Sequence, residues 1–142
     1  MFYRIFRRKI VRRRSRRAPR RAPGRSDYLM RKDAARDLAI ERLGFFTEEY
    51  AKLDPHFREA LKYNRVAIRN TITRWGSCSS KKNLNFSFRI LDLPPELRDY
   101  VIVHELCHLK ELHHGKTFWD LMELVIPDAK KLHLHARRMK IG

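Results

Sequence analysis

The chain has 142 residues, of which 43% are hydrophobic and 35% charged, so it is long and apolar enough for one domain with a core. No apolar run approaches the roughly 18 residues that cross a bilayer, and arginines interrupt the apolar start, so we expect neither a transmembrane helix nor a secretory signal. Two cysteines, Cys78 and Cys107, cannot form a disulfide framework. These features exclude membrane-spanning and disulfide-scaffold proteins and predict a reduced, cytoplasmic protein whose oligomeric state the sequence leaves open.

The net charge of +17 is concentrated in an arginine-rich arm at residues 1–26, which precedes the expected domain at residues 27–142. The arm carries eleven arginines, one lysine and no acid, a charge of +12, whereas the domain carries only +5. Like charges at this density repel, and Pro and Gly close the segment, so we expect the arm to be disordered when free. Three roles stay open for it: a solvated or targeting tail, a nucleic-acid or ribosome-binding arm, or a membrane-surface anchor.

Residues 27–61 have the apolar spacing of scaffold helices. Gly44 predicts a stop in this region, Thr47 with the two acids after it predicts a restart, and Pro55 predicts a further break. The apolar residues that recur at roughly helical intervals are Leu29, Ala35, Leu38, Ala39 and Leu43.

Beyond these helices the apolar period changes to that of β-strands. Val66, Ile68 and Ile72 alternate with polar residues, as in a half-buried strand. Residues 76–82, GSCSSKK, predict a turn, and residues 83–90 predict a second strand in which apolar and polar side chains again alternate. The two strands should form a hairpin, or an antiparallel pair joined by a wider loop.

Helices are predicted again after the strands. The prolines at 94–95 suit the first turn of a helix, Pro127 ends a later one, and Asp128 can cap the last. The elements together predict an α+β fold with N-terminal helices, a small antiparallel sheet and C-terminal helices. The predicted ranges of the C-terminal helices are 96–112, 117–125 and 129–139.

The residues that carry chemistry lie in the first of these helices, which contains the motif HELCH at 104–108. On a helix, positions i and i+4 project from the same face, so His104 and His108 can bind one metal ion. Glu105 points about 100° around the helix, where a carboxylate can take a proton from a zinc-activated water. The helix is apolar nearly all round, and burial of these polar groups without a cation would be costly. We therefore predict a zinc-dependent hydrolase with Glu105 as its catalytic base.

A catalytic zinc ion needs a third protein ligand besides the two motif histidines. His114 lies six positions after the second of them and completes an HExxHx5H pattern, so we favour it over its neighbour His113. Glu123 or Asp120 on the following helix would instead give a site with two histidines and one carboxylate.

The remaining histidines and the tryptophans have structural interpretations first. His56, His133 and His135 are expected at the surface, although either of the last two could stabilise an oxyanion. Trp75 and Trp119 are expected to be core or wall aromatic residues.

Four sequence features occur in an order that is similar to a known family. They are RWGSC at 74–78, the LPP helix start, the HELCHL core and the HG and FW pairs that follow it. Over roughly residues 60–139, and more weakly from residue 28, the chain resembles the YgjP-like metallopeptidases, relatives of the WLM and SprT-like zinc proteases. The resemblance implies a minimal zincin fold, one zinc ion bound by His104, His108 and His114, and Glu105 as base. Such proteins usually have a β-rich region before the first helix, where this chain has its arginine-rich arm.

Peptide-bond hydrolysis is the favoured function, with a peptide or protein as the substrate. In a sharper version of this hypothesis, the arm tethers the enzyme to DNA or ribosomes and the substrate is a protein bound there. Residues 66–74 or 83–89 could present a sheet edge to which a peptide adds as an antiparallel strand. One alternative is hydrolysis of a non-peptide bond such as a nucleotide phosphoanhydride, although the sequence has no Gly-rich phosphate loop. Another is a basic, nucleic-acid- or ribosome-associated binding protein with a non-catalytic zinc site.

Overall fold

The computed structural model describes residues 2–4, 24–139 and 141, and these residues form the expected α+β fold. Helices pack on a small sheet, and a 3₁₀ helix at Phe88–Asp92 joins the sheet to the helix that carries the motif. The helices are α1 (Arg25–Leu53), α2 (Phe57–Ala60), α3 (Pro95–His108), α4 (Lys116–Glu123) and α5 (Ala129–Arg138), and the strands are β1 (Phe2–Arg4), β2 (Arg65–Arg69), β3 (Gly76–Ser79) and β4 (Asn83–Ser87).

The described strands lie in the order β1-β3-β4-β2. β3 is antiparallel to β1 and β4, but β2 is parallel to β4, so the expected antiparallel pairing of the two sequence-predicted strands is wrong. Residues 76–79 were expected to be part of a turn, but they form β3, which pairs with β4 as a hairpin. β2 therefore pairs with the opposite edge of β4. The β3–β4 loop is closed by Lys82, whose φ of 62° is the left-handed conformation that such short loops need.

Three other boundaries differ from the sequence prediction. α1 continues through Gly44 without a break, and the Thr47 hydroxyl donates back to the Leu43 carbonyl oxygen at 2.8 Å instead of capping a new helix. β4 ends at Ser87, whose hydroxyl accepts a hydrogen bond from the Arg89 amide at 3.3 Å and so begins the 3₁₀ helix. α3 ends at residue 108, four residues earlier than expected.

Two pieces of the arginine-rich arm are described. Phe2–Arg4 form β1 at the edge of the sheet, which the sequence interpretation did not anticipate, and α1 begins at Arg25. Residues 5–23 lie outside the described residues, so the disorder of the arm and the domain boundary near residue 26 stay predictions.

The core lies between one face of the sheet and helices α1 and α3. Alternate strand residues point into it, including Val66, Leu84 and Phe86, and all are buried. α1 and α3 are joined by a paired hydrogen bond in which Arg42 Nε and Nη2 donate to the Asp99 carboxylate at 2.9 and 3.0 Å. Within the described residues, no helix is long and apolar enough to cross a membrane.

Candidate metal centre

α3 places the two motif histidines in the middle of the core. The helix begins at Pro95, where the missing N–H of proline breaks no helical hydrogen bond. Residues 100–108 are all buried, as expected for a helix that is apolar nearly all round. His104 and His108 lie one turn apart on the same face, with ring centroids separated by 4.8 Å.

His114 returns to these two side chains from the loop between α3 and α4. Its Nε2 atom lies 2.9 Å from His104 Nε2 and 3.0 Å from His108 Nε2. Among the described residues, this is the one group whose ligand atoms lie within 4.8 Å of one another and could hold a metal ion. His104 and His108 are buried but His114 is exposed, so the cluster opens to solvent on the His114 side.

The other candidates for a third ligand lie outside this cluster. His113 is exposed beside His114, and Asp120 and Glu123 are exposed on α4. The structure thus brings together the three histidines that the sequence pattern favoured and leaves the carboxylate alternative without a matching geometry among the described residues.

The tautomer of His108 is determined by its backbone contact. His108 Nδ1 lies 3.0 Å from the carbonyl oxygen of Glu111, which can only accept, so Nδ1 carries the hydrogen. Burial lowers the pKa of His108 to about 4, and the ring is neutral near pH 7. Its Nε2 lone pair therefore faces the other two imidazoles, which is the orientation that a metal ligand requires.

A tyrosine hydroxyl orients His104 from the opposite side of its ring. Tyr100 Oη lies 2.8 Å from His104 Nδ1 and 2.6 Å from His133 Nδ1. A hydroxyl has one hydrogen, so one imidazole must donate to it and the other must accept from it. If the His104 Nε2 lone pair faces the cluster, His104 Nδ1–H donates to Tyr100, and the Tyr100 hydroxyl donates to His133.

His133 was expected at the surface, but it is half-buried against the site. Its ring stacks on that of His104 with centroids 6.0 Å apart and an interplanar angle of 11°. Burial lowers the pKa of His133 to about 4. His56 and His135 are exposed, as expected. Sequence reasoning also missed Tyr100, although its position four residues before His104 on one helix gave the signal.

Two aromatic residues of α4 form a wall of the cluster. The buried Phe118 ring stacks on His108 with centroids 4.7 Å apart, and it meets the edge of His104 at 4.9 Å. Trp119 is half-buried and its ring lies 5.2 Å from that of His133. Trp119 is thus a wall residue and Trp75 is a buried core residue, as the sequence interpretation expected.

Glu105 is buried on α3 next to β3. None of the described residues donates a hydrogen bond to either of its carboxylate oxygens. Burial raises the pKa of the Glu105 carboxyl well above its usual value, while the charge of Arg74 acts in the opposite direction. A Cβ atom at Gly76 would lie 3.1 Å from both Oε1 and Cγ of Glu105, so only glycine lets β3 approach the carboxylate this closely.

These side chains fit a divalent metal ion. Three imidazole nitrogens that converge on one point match the protein ligands of a catalytic zinc site, which keeps one position open for water. A buried carboxylate without a hydrogen-bond donor is rare in folded proteins, and a metal-activated water beside it would supply that donor.

A helix that holds two histidines and a buried glutamate in one motif, with a third histidine folded back on it, is the arrangement of a metallohydrolase. The sequence model described as YgjP-like, metallopeptidase domain, matches residues 7–138, so the chain belongs to the YgjP-like family. No curated protein and no solved structure matches the chain.

Proposed function

We propose that the protein is a zinc-dependent metallopeptidase of the HExxHx5H type, with His104, His108 and His114 as the metal ligands and Glu105 as the catalytic base. The observation that supports this most is the convergence of three imidazole Nε2 atoms beside a buried carboxylate that has no hydrogen-bond donor among the described residues. Membership of a metallopeptidase family makes peptide-bond hydrolysis the favoured reaction.

Zinc is the metal that suits this donor set best. Three neutral imidazoles without a carboxylate are typical of catalytic zinc sites, whereas magnesium and calcium prefer oxygen ligands. A zinc ion bound here would supply Lewis acidity, which polarises a carbonyl group and lowers the pKa of water to about 7.

The protein's own groups perform the proton transfers. A Glu105 carboxylate oxygen accepts a proton from the attacking water and then passes it to the leaving nitrogen of the peptide bond. The buried position of Glu105 favours its protonated form between these two steps, because burial destabilises the charged carboxylate. Tyr100 and the Glu111 carbonyl hold two of the imidazoles in their ligand orientation.

The substrate is a peptide or protein, and the arginine-rich arm is a second binding element for nucleic acid or ribosomes. The arm carries +12 charge in 26 residues, enough to neutralise several phosphates. Both cysteines are free thiols, which suits action in a reducing compartment such as the cytoplasm.

Metal content and peptide cleavage test the proposal together. Metal per chain is measured by mass spectrometry for the wild type, His114→Ala and Glu105→Gln, with His113→Ala as the matched control on the adjacent residue. We expect about one zinc ion per chain, lost in His114→Ala only. A peptide library should be cleaved by the wild type and by His113→Ala but not by Glu105→Gln.

Each of the contrary outcomes has a defined meaning. Zinc retained in full by His114→Ala would move the third ligand to Glu123 or Asp120. A wild-type protein without stoichiometric metal, after purification and reloading, would rule the proposal out. Stoichiometric zinc without cleavage of any peptide would favour a non-catalytic site.

A further inference from the structure

A cavity of about 530 Å³ lies beside β3 and β4, under the loop that follows β2. Two arginines, Arg69 and Arg74, line it together with the amide side chains of Asn70 and Asn85. Most of the other lining residues carry hydroxyl side chains. No carboxylate side chain lines the cavity among the described residues. The cavity thus offers positively charged and neutral hydrogen-bonding groups to a ligand.

The arginine-bearing loop is held in place by side-chain and backbone hydrogen bonds. Ser87 Oγ donates to the Thr71 carbonyl oxygen at 3.0 Å, and the Ser87 amide donates to the Trp75 carbonyl oxygen at 2.8 Å. Arg69 Nε donates to Asn85 Oδ1 at 3.2 Å, which directs the guanidinium group across the sheet surface. A guanidinium carries five N–H donors, so this contact uses one of them.

Gly76 lies between the cavity and the proposed catalytic base, whereas the metal ligands do not line the cavity. Gly76 lines the cavity, and an added Cβ at this position would lie 3.1 Å from Glu105 Oε1. None of the three clustered histidines lines the cavity, so a group bound there would lie to one side of the bond that is cleaved.

We propose that this cavity is a substrate subsite that binds a carboxylate of the peptide, through the guanidinium groups of Arg69 and Arg74. Guanidinium groups bind carboxylates through paired, charge-assisted hydrogen bonds, and a site close to the scissile bond selects the residue at one position of the peptide. The carboxylate can be an Asp or Glu side chain or the C-terminus of a short peptide. The inference rests on the proposed peptidase function, and it adds the substrate class.

Cleavage of matched peptides tests the subsite and separates the two sources of the carboxylate. Peptides that the wild type cleaves in the library are made in matched pairs: with Glu or Gln at each position in turn, and with a C-terminal acid or amide. We expect the wild type to cleave the acidic member of one such pair at least about tenfold faster than its neutral partner, as one charge-assisted contact would produce. The preference should be lost in Arg69→Gln and partly kept in Arg69→Lys.

Arg65→Gln is the control for Arg69→Gln. Arg65 lies on the same strand four residues earlier, is exposed, and does not line the cavity, so its substitution changes the net charge equally. The preference should survive in Arg65→Gln. An acidic preference that is equal in Arg65→Gln and Arg69→Gln, or is absent from the wild type, would overturn the assignment.

A binding measurement distinguishes failure of the subsite from failure of the peptidase proposal. N-acetylglutamate and inorganic phosphate are titrated separately into the zinc-loaded protein, with amide NMR shifts at Asn70, Ser77 and Asn85 as the readout. If N-acetylglutamate shifts these amides in the wild type and in Arg65→Gln but not in Arg69→Gln, the carboxylate site stands even without peptide cleavage. If phosphate alone shows this pattern, the site binds phosphate groups and the inference is wrong.

Discussion

The hydroxyl of Tyr100 and the Nδ1 atom of His104 are joined by a hydrogen bond of 2.8 Å one helical turn apart on α3. The same hydroxyl reaches His133 on α5 at 2.6 Å. A ligand histidine held through its second nitrogen keeps the lone pair of the first directed at the metal, so this contact should contribute to metal affinity.

Tyr100→Phe is therefore expected to weaken zinc binding by about 10- to 100-fold, since it removes the acceptor of the His104 Nδ1 hydrogen. The zinc dissociation constant is measured by competition with a chelator. Tyr28→Phe is the matched control, because the Tyr28 hydroxyl donates to the Ile68 carbonyl oxygen at 3.0 Å, away from the cluster. Equal zinc affinity in the two variants would contradict this role of Tyr100.

Gly76→Ala should reduce cleavage by up to about tenfold and leave zinc binding intact. The added methyl group would lie 3.1 Å from the Glu105 carboxylate and from the Asn85 carbonyl oxygen, so the carboxylate must shift by a few tenths of an ångström to accept it. An active-site displacement of about 1 Å can cost a factor of 100 in rate. Initial rates and zinc content are measured for the same preparations, and unchanged rates would show that Glu105 does not depend on this contact.

Gly44→Ala is the control for that substitution and gives a prediction of its own. Gly44 lies inside α1, and a Cβ atom there would meet nothing within 4 Å. Alanine in a helix interior is more stable than glycine by roughly 0.5–1 kcal/mol. The free energy of unfolding should rise by about that amount in urea titrations, with peptide cleavage unchanged. A decrease would indicate that α1 is broken at this residue.

Zinc should stabilise the folded protein, and the effect should depend on His114. A ligand at about 100 times its dissociation constant adds roughly 2.7 kcal/mol to the free energy of unfolding. Thermal unfolding is followed with chelator and with added zinc for the wild type, His114→Ala and His113→Ala. The increase should be absent in His114→Ala only. A similar increase in all forms would place the stabilising metal elsewhere.

Both cysteine thiols should be unreactive in the folded protein. Burial raises the pKa of Cys78 and of Cys107 to about 12, and both side chains are fully buried. Because the thiolate is the reactive form, alkylation at pH 8 should be slow in the native state and fast in guanidinium chloride. Mass spectrometry of iodoacetamide-treated protein measures the alkylation rate, and the variant Cys107→Ser gives the rate of Cys78 alone. Rapid native labelling of Cys78 would show that β3 opens near Glu105.

Arginines of the arm should determine the affinity for nucleic acid. Replacement by glutamine of the seven arginines at positions 12–14, 16, 17, 20 and 21 keeps β1 in place, which a deletion of residues 1–26 would not. The slope of log affinity against log salt should fall by about 0.7–0.9 for each lost phosphate contact. An unchanged slope for a fluorescent oligonucleotide would assign the arm another role.

The features of this site that depend on a single helix could be predicted from the sequence. His104 and His108 share a face in any helix, and the prolines at 94–95 and the apolar residues around the motif indicated a buried helix. His114 was favoured as the third ligand because it lies only six positions after His108, just beyond the motif helix. Tyr100 could have been identified in the same way, since it lies on the same helix face as His104.

Only the tertiary structure decided the contacts between distant elements. Residues 76–79 carry no alternating pattern, so nothing local distinguished a turn from β3, and the parallel pairing of β2 with β4 followed from β3 taking the hairpin position. The approach of Gly76 to Glu105 and the contact of Tyr100 with His133 join residues about thirty positions apart. Such contacts depend on how the sheet and helices pack together, and side-chain periodicity within one element does not encode that packing.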